Sequence, residues 1–340
     1  MKLTLHIGTE KTGTTTIQAL LDENRAVLAE RGIFVPRSVG EANHRWLPAL
    51  VYPPEFEDNL TRRHGMQDPA VRAELTARYR TALEEELGAV TQPHVVMSSE
   101  HLQSRLHTPA EVTALKALLD PFFDDYEIVL YLRDPFAMAV SLYSTALKSG
   151  ACQEDVRDPW TPYIRRLADY RGIVELWGGV FGPERMRLRL FERDAMVGGD
   201  LIEDLCAVLG TPAEGLTRPR NRNLSLSRFC LGLLLAANRQ IRREGIPRPD
   251  RLRWRIIQAL TAQSDPADPF RGSADLQGRY EAAFGASTEW VRQTYFPERA
   301  RLFTPPATRP AGSPPFGTET LDEATFERLA AVMIDLARRD

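Results

Sequence analysis

Gly8, Lys11, Gly13 and the run Thr14, Thr15, Thr16 crowd together directly after the short apolar stretch Leu3–Ile7. This is a set of residues suited to holding an anion. A strand that turns through glycine into a helix start offers backbone N–H groups that no helical carbonyl accepts. The threonine hydroxyls add donors in the first turn, and a lysine on the loop is a mobile point charge that can follow negative charge onto a bridging or leaving oxygen. The nucleoside-triphosphate loop reads G-x-x-x-x-G-K-[ST]. Gly8 and Gly13 keep that spacing, but Thr14 occupies the lysine slot and Lys11 stands two residues ahead of Gly13. A threonine there brings no charge to terminal phosphates. That weighs against an ATP-using kinase, even though Glu100 or Asp134 could imitate the acid that holds its magnesium.

A second group lies in LYLRDPFAMAVSLYSTALKSG. Arg133 follows a buried apolar run, and Ser141 falls eight residues later, two turns down the helix expected there. Alone, the arginine reads as a helix cap or carboxylate partner, and the serine as one bonded back to its own helix. As a pair, in a sheet that begins with an anion loop, they suit a second phosphate gripped by a guanidinium fork and a hydroxyl.

With both groups in view, the chain resembles the sulfotransferases that use 3′-phosphoadenosine-5′-phosphosulfate (PAPS). Their 5′-phosphosulfate loop reads like P-K-S-G-T-T, which Glu10-Lys11-Thr12-Gly13-Thr14-Thr15 matches in all but the first and third places. Their 3′-phosphate motif is an arginine at a strand end with a serine eight residues on, as in Arg133 and Ser141. The resemblance covers residues 3–150 and extends loosely to Arg187–Gly210. It implies that Lys11 contacts the bridging oxygen of the donor, that Gly13, Thr14, Thr15 and Thr16 cradle the 5′-phosphate, and that Arg133 and Ser141 hold the 3′-phosphate. It also implies in-line transfer of a sulfuryl group to a hydroxyl of a carbohydrate, glycolipid or other metabolite, without a metal. Two departures stand out. Thr16 replaces a tryptophan that stacks on adenine in many members, and the R-K-G-x-x-G segment has no counterpart; Arg218–Ser227 is a weak substitute.

Transfer to a hydroxyl benefits from a general base. In the family, one place for it is just after a middle strand, where this chain has Glu100 and His101. Histidine has the better-matched ordinary pKa, but Glu100 directly ends Ser98-Ser99 and is the preferred base. His6, inside the first strand, reads as a packed core residue. His44, with Arg45 and Trp46, is a weaker candidate for lining an acceptor site.

The elements that must position these residues follow from periodicity. Strands are expected at Leu3–Ile7, Ile33–Val35, His94–Met97, Glu127–Leu132 and Met186–Phe191. Helices are expected over Thr14–Arg31, Pro69 to Gly88, Thr108 to Phe122, Pro135 to Ser149, Pro162 to Trp177 and Leu201–Leu209. Residues 36–68 read as irregular. This alternation predicts an α/β fold, a P-loop-like, doubly wound parallel sheet flanked by helices, with ligands beyond the carboxyl ends of the strands. A stripe from Leu226 to Ile241 opens a helical C-terminal extension, 245–320 reads as less regular, and Leu321–Arg339 as a final helix. The expectation is one domain over 1–340, with a core of 1–215 and a cap region of 216–340.

Composition narrows the class. The chain has 340 residues, 43% of them hydrophobic, and a formal charge of −3. Between Arg218 and Arg255 stand 11 arginines against Glu244 and Asp250, a local +9 that leaves −12 elsewhere. Such a run is either a solvated face or a site for an anionic acceptor or membrane surface; no nucleic-acid partner is expected. Cys152, Cys206 and Cys230 are too scattered for a disulfide framework or a zinc site. Without a signal peptide or an 18-residue apolar stretch, the expectation is a cytoplasmic protein. A small-molecule kinase and a non-catalytic nucleotide-binding module are the alternatives.

Overall fold

In the computed structural model, described over residues 1–219, 225–312, 315, 316, 329 and 332, the elements run in this order. They are β1 (Lys2–Gly8), α1 (Thr14–Glu23), α2 (Arg25–Glu30), β2 (Ile33–Phe34), α3 (Trp46–Ala49), α4 (Asn59–Arg63), α5 (Pro69–Gly88), β3 (His94–Ser98), α6 (Glu100–Arg105) and α7 (Pro109–Leu119). Then follow β4 (Asp125–Leu132), α8 (Pro135–Lys148), α9 (Pro162–Ala168), α10 (Tyr170–Phe181), β5 (Met186–Leu190), α11 (Leu201–Leu209), α12 (Arg228–Arg243), α13 (Asp250–Ala262) and α14 (Ala274–Tyr295). The chain divides into two compact units, Met1–Arg133 with Arg166–Arg220 and Ser287–Phe303, and Asp134–Arg165 with Asn221–Ala286 and Thr304–Asp340.

The first unit holds a five-stranded sheet in the order β2-β3-β1-β4-β5, every pair parallel. Parallel strands need helical crossovers, so both faces are covered and the inner strands read as apolar runs. Side chains alternate between the faces. Leu3, Leu5 and Ile7, with Val95, Met97, Ile128, Leu130 and Leu132, enter one core together with Leu102, Leu115 and Trp177. Val96, Val129 and Tyr131 enter the other, against Ile17, Leu20 and Leu21 of α1 and Ile202 and Leu205 of α11. β1 lies between β3 and β4, so the chain leaves its carboxyl end where the strand order reverses, the place at which such sheets bind ligands.

Several elements differ from expectation. The helix over Thr14–Arg31 is two, separated at Asn24, whose side-chain amide donates to the carbonyls of Leu20 (2.8 Å) and Thr217 (2.9 Å) and accepts from the Thr217 N–H (2.7 Å). The asparagine competes with the backbone for hydrogen bonds and stops the turn. Likewise Asp169 interrupts the expected Pro162–Trp177 helix: its carboxylate caps α10 through Gly172 N–H and accepts from Ser287 Oγ at 2.8 Å. Segment 36–68 contains α3 and α4, the latter started by a capping box of Asp58 and Thr61. In the second unit α12 buries the expected stripe. The segment expected to be less regular, 245–320, holds α13 and the whole of α14. The expected last helix, Leu321–Arg339, lies outside the described residues apart from isolated positions. No helix among the described residues is long and apolar enough to cross a membrane.

One polar cluster pins β4, β5 and α11 together. The Asp204 carboxylate, fully buried, accepts from Tyr131 Oη at 2.7 Å, from Arg189 Nε at 2.9 Å and from the Val197 N–H at 2.9 Å. Burial works against this carboxyl's ionisation, but the bonds to Arg189, Val197 and Tyr131 overcome it and hold its pKa below the ordinary value. Removing one partner of a buried pair strands the other charge, at about 3–5 kcal/mol. Asp204→Ala is expected to lower the free energy of urea unfolding by about 3 kcal/mol, the low end, because Arg189 keeps some contact with water. A loss under about 0.5 kcal/mol, the range of an ordinary surface substitution, would show that the cluster does not hold the sheet.

Candidate functional site

The loop between β1 and α1 is shaped by its glycines and tied down by β4. Gly13 has φ 77°, and a Cβ there would collide with Leu201 Cδ2 and lie 3.1 Å from the Phe191 ring. The left-handed turn favours glycine, and any Cβ would have to displace the Leu201 side chain. The Thr9 N–H and hydroxyl both donate to Tyr131 O, at 3.0 and 3.1 Å, and the Thr12 hydroxyl donates to Thr9 O at 2.6 Å. Lys11, at the crest, also has positive φ, 67°. Its carbonyl accepts from Arg133 Nη1 at 2.9 Å.

Arg133 is fixed from both ends. Tyr170 Oη donates to its carbonyl, and its guanidinium lies over the Phe191 ring, 5.7 Å from the centroid. Lys11 is half-buried. Burial lowers its pKa, Glu10 and Glu100 oppose the shift, and Arg133 adds to it. One carboxylate-bearing loop and two cations therefore share a partly dry site, where charge acts more strongly than in water. Beyond Gly13, α1 begins without a side-chain cap or an acidic residue in its first turn. The N–H groups of Thr14 and Thr15 occupy positions that have no intrahelical acceptor. Thr14 is buried, Thr16 half-buried and Thr15 exposed.

Glu100 opens α6 directly beside the loop, its Cα 3.4 Å from where a Gly8 Cβ would stand. Its Oε2 accepts from Gln18 Nε2 at 2.7 Å and from Asn43 Nδ2 at 3.0 Å. Asn43 is oriented by Ser99, whose hydroxyl donates to Oδ1 at 2.8 Å. His101 Nε2 lies 3.8 Å from Glu100 Oε1, beyond hydrogen-bonding distance. The His101 pKa falls to about 3, chiefly through burial and then through Arg45 and Arg105, so the ring is neutral at pH 7. Its Nδ1 is buried with no hydrogen-bond partner among the described residues.

The sheet edge thus brings together Lys11, Gly13, Thr14, Thr15, Thr16, Glu100, His101 and Arg133, all in the first unit. Ser141 falls in the second unit, half-buried on α8, its carbonyl accepting from the Thr145 hydroxyl at 3.1 Å. His44 does not line an acceptor site. It is fully buried, with Nδ1 accepting from the Ser98 N–H (2.8 Å) and Nε2 donating to Pro36 O (2.9 Å). Its neighbours are committed too: Arg45 pairs with Asp58 and Trp46 stacks on Tyr79. His6 is the expected core residue, with Nδ1 2.7 Å from Ser98 Oγ. Gln18 and Asn43 were not anticipated. Gln18 had a signal, as a polar residue within the apolar stripe of α1; Asn43, in an irregular segment, had none.

No family model matches the chain, and no curated protein matches it. Among solved structures it is similar to a sulfotransferase from Alicyclobacillus acidocaldarius, at 19% identity and a TM-score of 0.39 over 69% of this chain and 91% of that one. It is also similar to the sulfotransferase domain of the Synechococcus PCC 7002 olefin synthase, at 12% identity and a TM-score of 0.34 over 66% and 81%.

Burial depresses His6, His94 and His107 to about 4, as it does His101 to about 3. The unfolded chain, with ordinary histidines near 6.5, binds protons there that the folded chain refuses, so stability is full above about pH 6.5 and declines as pH falls toward 4. The urea midpoint is expected to be lower at pH 5 than at pH 7.5, and His6→Gln to flatten that slope. A midpoint constant across this interval would contradict neutral burial of these rings.

Proposed function

We propose that the chain is a PAPS-dependent sulfotransferase acting on a hydroxyl. The observation that carries this reading is the pairing of Lys11 with Arg133 across the mouth of the loop. The cation lies on the loop itself rather than after Gly13, and a second, fixed guanidinium stands beside it at the end of β4. The residues suit such a donor: Gly13 leaves a cradle that a Cβ would fill, α1 presents its first N–H groups there, and two cations adjoin it. When bound, the donor supplies a sulfuryl group on a phosphate leaving group.

In this reading the N–H groups of Thr14 and Thr15 and the hydroxyls of the threonine run hold the 5′-phosphate. Lys11 neutralises charge growing on the bridging oxygen, an electrostatic contribution worth on the order of a hundredfold to a thousandfold in rate for a single well-placed donor. Arg133 reads the 3′-phosphate, the role that the sequence motif also gives to Ser141. Glu100 is the preferred base. Its Oε2 is held by Gln18 and Asn43, leaving Oε1 to take the acceptor's proton. Neutral His101, with Nδ1 unpartnered, is the second candidate for that proton. The acceptor is a hydroxyl on a sugar, glycolipid or other metabolite.

Thermal unfolding with adenosine 3′,5′-bisphosphate, with AMP, and with ATP plus magnesium tests the reading. A ligand at a hundred times its dissociation constant stabilises the fold by about 2.7 kcal/mol. The bisphosphate alone is expected to raise the midpoint, and Arg133→Ala to abolish most of that rise. A response to ATP with magnesium and none to the bisphosphate would establish a kinase-type loop instead. Lys11→Ala is expected to retain bisphosphate binding while losing about a hundredfold or more in sulfuryl transfer from PAPS to a panel of hydroxyl acceptors. Bisphosphate binding without turnover on any acceptor would favour the non-catalytic module.

A further inference from the structure

The arginine-rich segment takes no part in the site described above, yet its side chains are laid out in a particular way. α12 turns its buried stripe, Phe229, Cys230, Leu234 and Ile241 among others, inward. Its last turn carries Arg242 and Arg243, both exposed, and the link to α13 carries exposed Arg248. On α13, Arg251, Trp254 and Arg255 stand at i, i+3 and i+4, hence on one face. Arg251 and Trp254 are exposed, the tryptophan at 59%.

The two acids of the segment are engaged within it: Asp250 accepts from Arg253 Nη1 at 2.9 Å, and Glu244 accepts from Gln240 Nε2. Among the described residues no carboxylate forms an ion pair with Arg242, Arg243, Arg248 or Arg251. A chain of net negative charge thus carries unneutralised arginines in the same segment as an indole that stands in water, with Arg251 one turn from it on α13. The large apolar ring makes this more than a solvated charge run. Tryptophan favours the headgroup level of a bilayer, and arginines beside it are drawn to anionic lipid.

We propose that the end of α12 and the outward face of α13 form a docking surface for an anionic lipid bilayer, with the Trp254 ring entering the headgroup layer and Arg242, Arg248 and Arg251 facing lipid phosphates. Binding is then peripheral and sensitive to salt.

Flotation of the full chain with vesicles tests this. Phosphatidylcholine vesicles containing phosphatidylglycerol, in about 0.1 M salt where the Debye length is about 10 Å, are compared with pure phosphatidylcholine. The chain is expected to bind the anionic vesicles on the order of a hundredfold more tightly, on the basis of about fivefold per arginine near the surface. The triple variant Arg242→Ala, Arg248→Ala, Arg251→Ala is expected to lose on the order of a hundredfold in that binding. Trp254→Ser is expected to weaken it and to remove the blue shift of tryptophan emission that vesicle binding is expected to produce. All four positions are exposed, so both variants are expected to keep the wild-type melting midpoint. Equal binding to neutral and anionic vesicles, or undiminished binding by the triple variant, would overturn the proposal. Retention on a heparin column without vesicle binding would also overturn it, in favour of a soluble polyanion.

Discussion

One hydrogen bond, from the Arg133 guanidinium to the Lys11 carbonyl, ties the end of β4 to the crest of the loop that follows β1. Thr9 and Tyr131 hold the loop at its base, and this bond holds it at the crest. With it, two like charges are kept close in a partly buried site, an arrangement the carboxylates of Glu10 and Glu100 make tolerable. The rest of the first unit serves this contact. β1 and β4 are adjacent, their registers pair Gly8 with Leu130, and the Tyr170 hydroxyl fixes the Arg133 backbone from α10.

The same logic explains why the neighbouring polar groups are so thoroughly committed. Ser98 N–H and Oγ are taken by His44 and His6, and Ser99 orients Asn43, which in turn holds Glu100. A carboxylate beside Lys11 and Arg133 must be kept from collapsing onto either of them. Two amide donors on Oε2 do this, because they satisfy the acid without neutralising it.

How much was legible in the sequence depended on the range of the forces involved. β4 was plain because a strand buried on both faces reads as a near-continuous apolar run, and the starts of α5, α7 and α8 were plain because capping, here by Asp68, Thr108 and Asp134, is local. The loop glycines and the Lys11 displacement were readable for the same reason. What failed was decided at a distance. Asn24 ends α1 with a partner at Thr217, and Asp169 breaks a helix with help from Ser287. α13 buries only Ala259 and Leu260 completely, so its apolar period is faint beneath the arginines. His44, beside Arg45 and Trp46, read as a weaker candidate for lining an acceptor site. Only the backbone groups of Pro36 and Ser98, brought in by the fold, reveal it as a strut.

The space around Gly13 has a consequence for how such chains diverge. The glycine is required not by its turn alone but by Leu201 at the head of α11 and Phe191 beyond β5, which press against the position a side chain would take. The loop motif is therefore written in three places along the chain. A relative carrying alanine at the position of Gly13 would have to bear the left-handed turn and also turn aside or trim the residue at the position of Leu201, so the two positions should drift through evolution as a pair. A search pattern confined to the loop would miss such a relative, whereas one that joined the loop to the start of α11 would retain it.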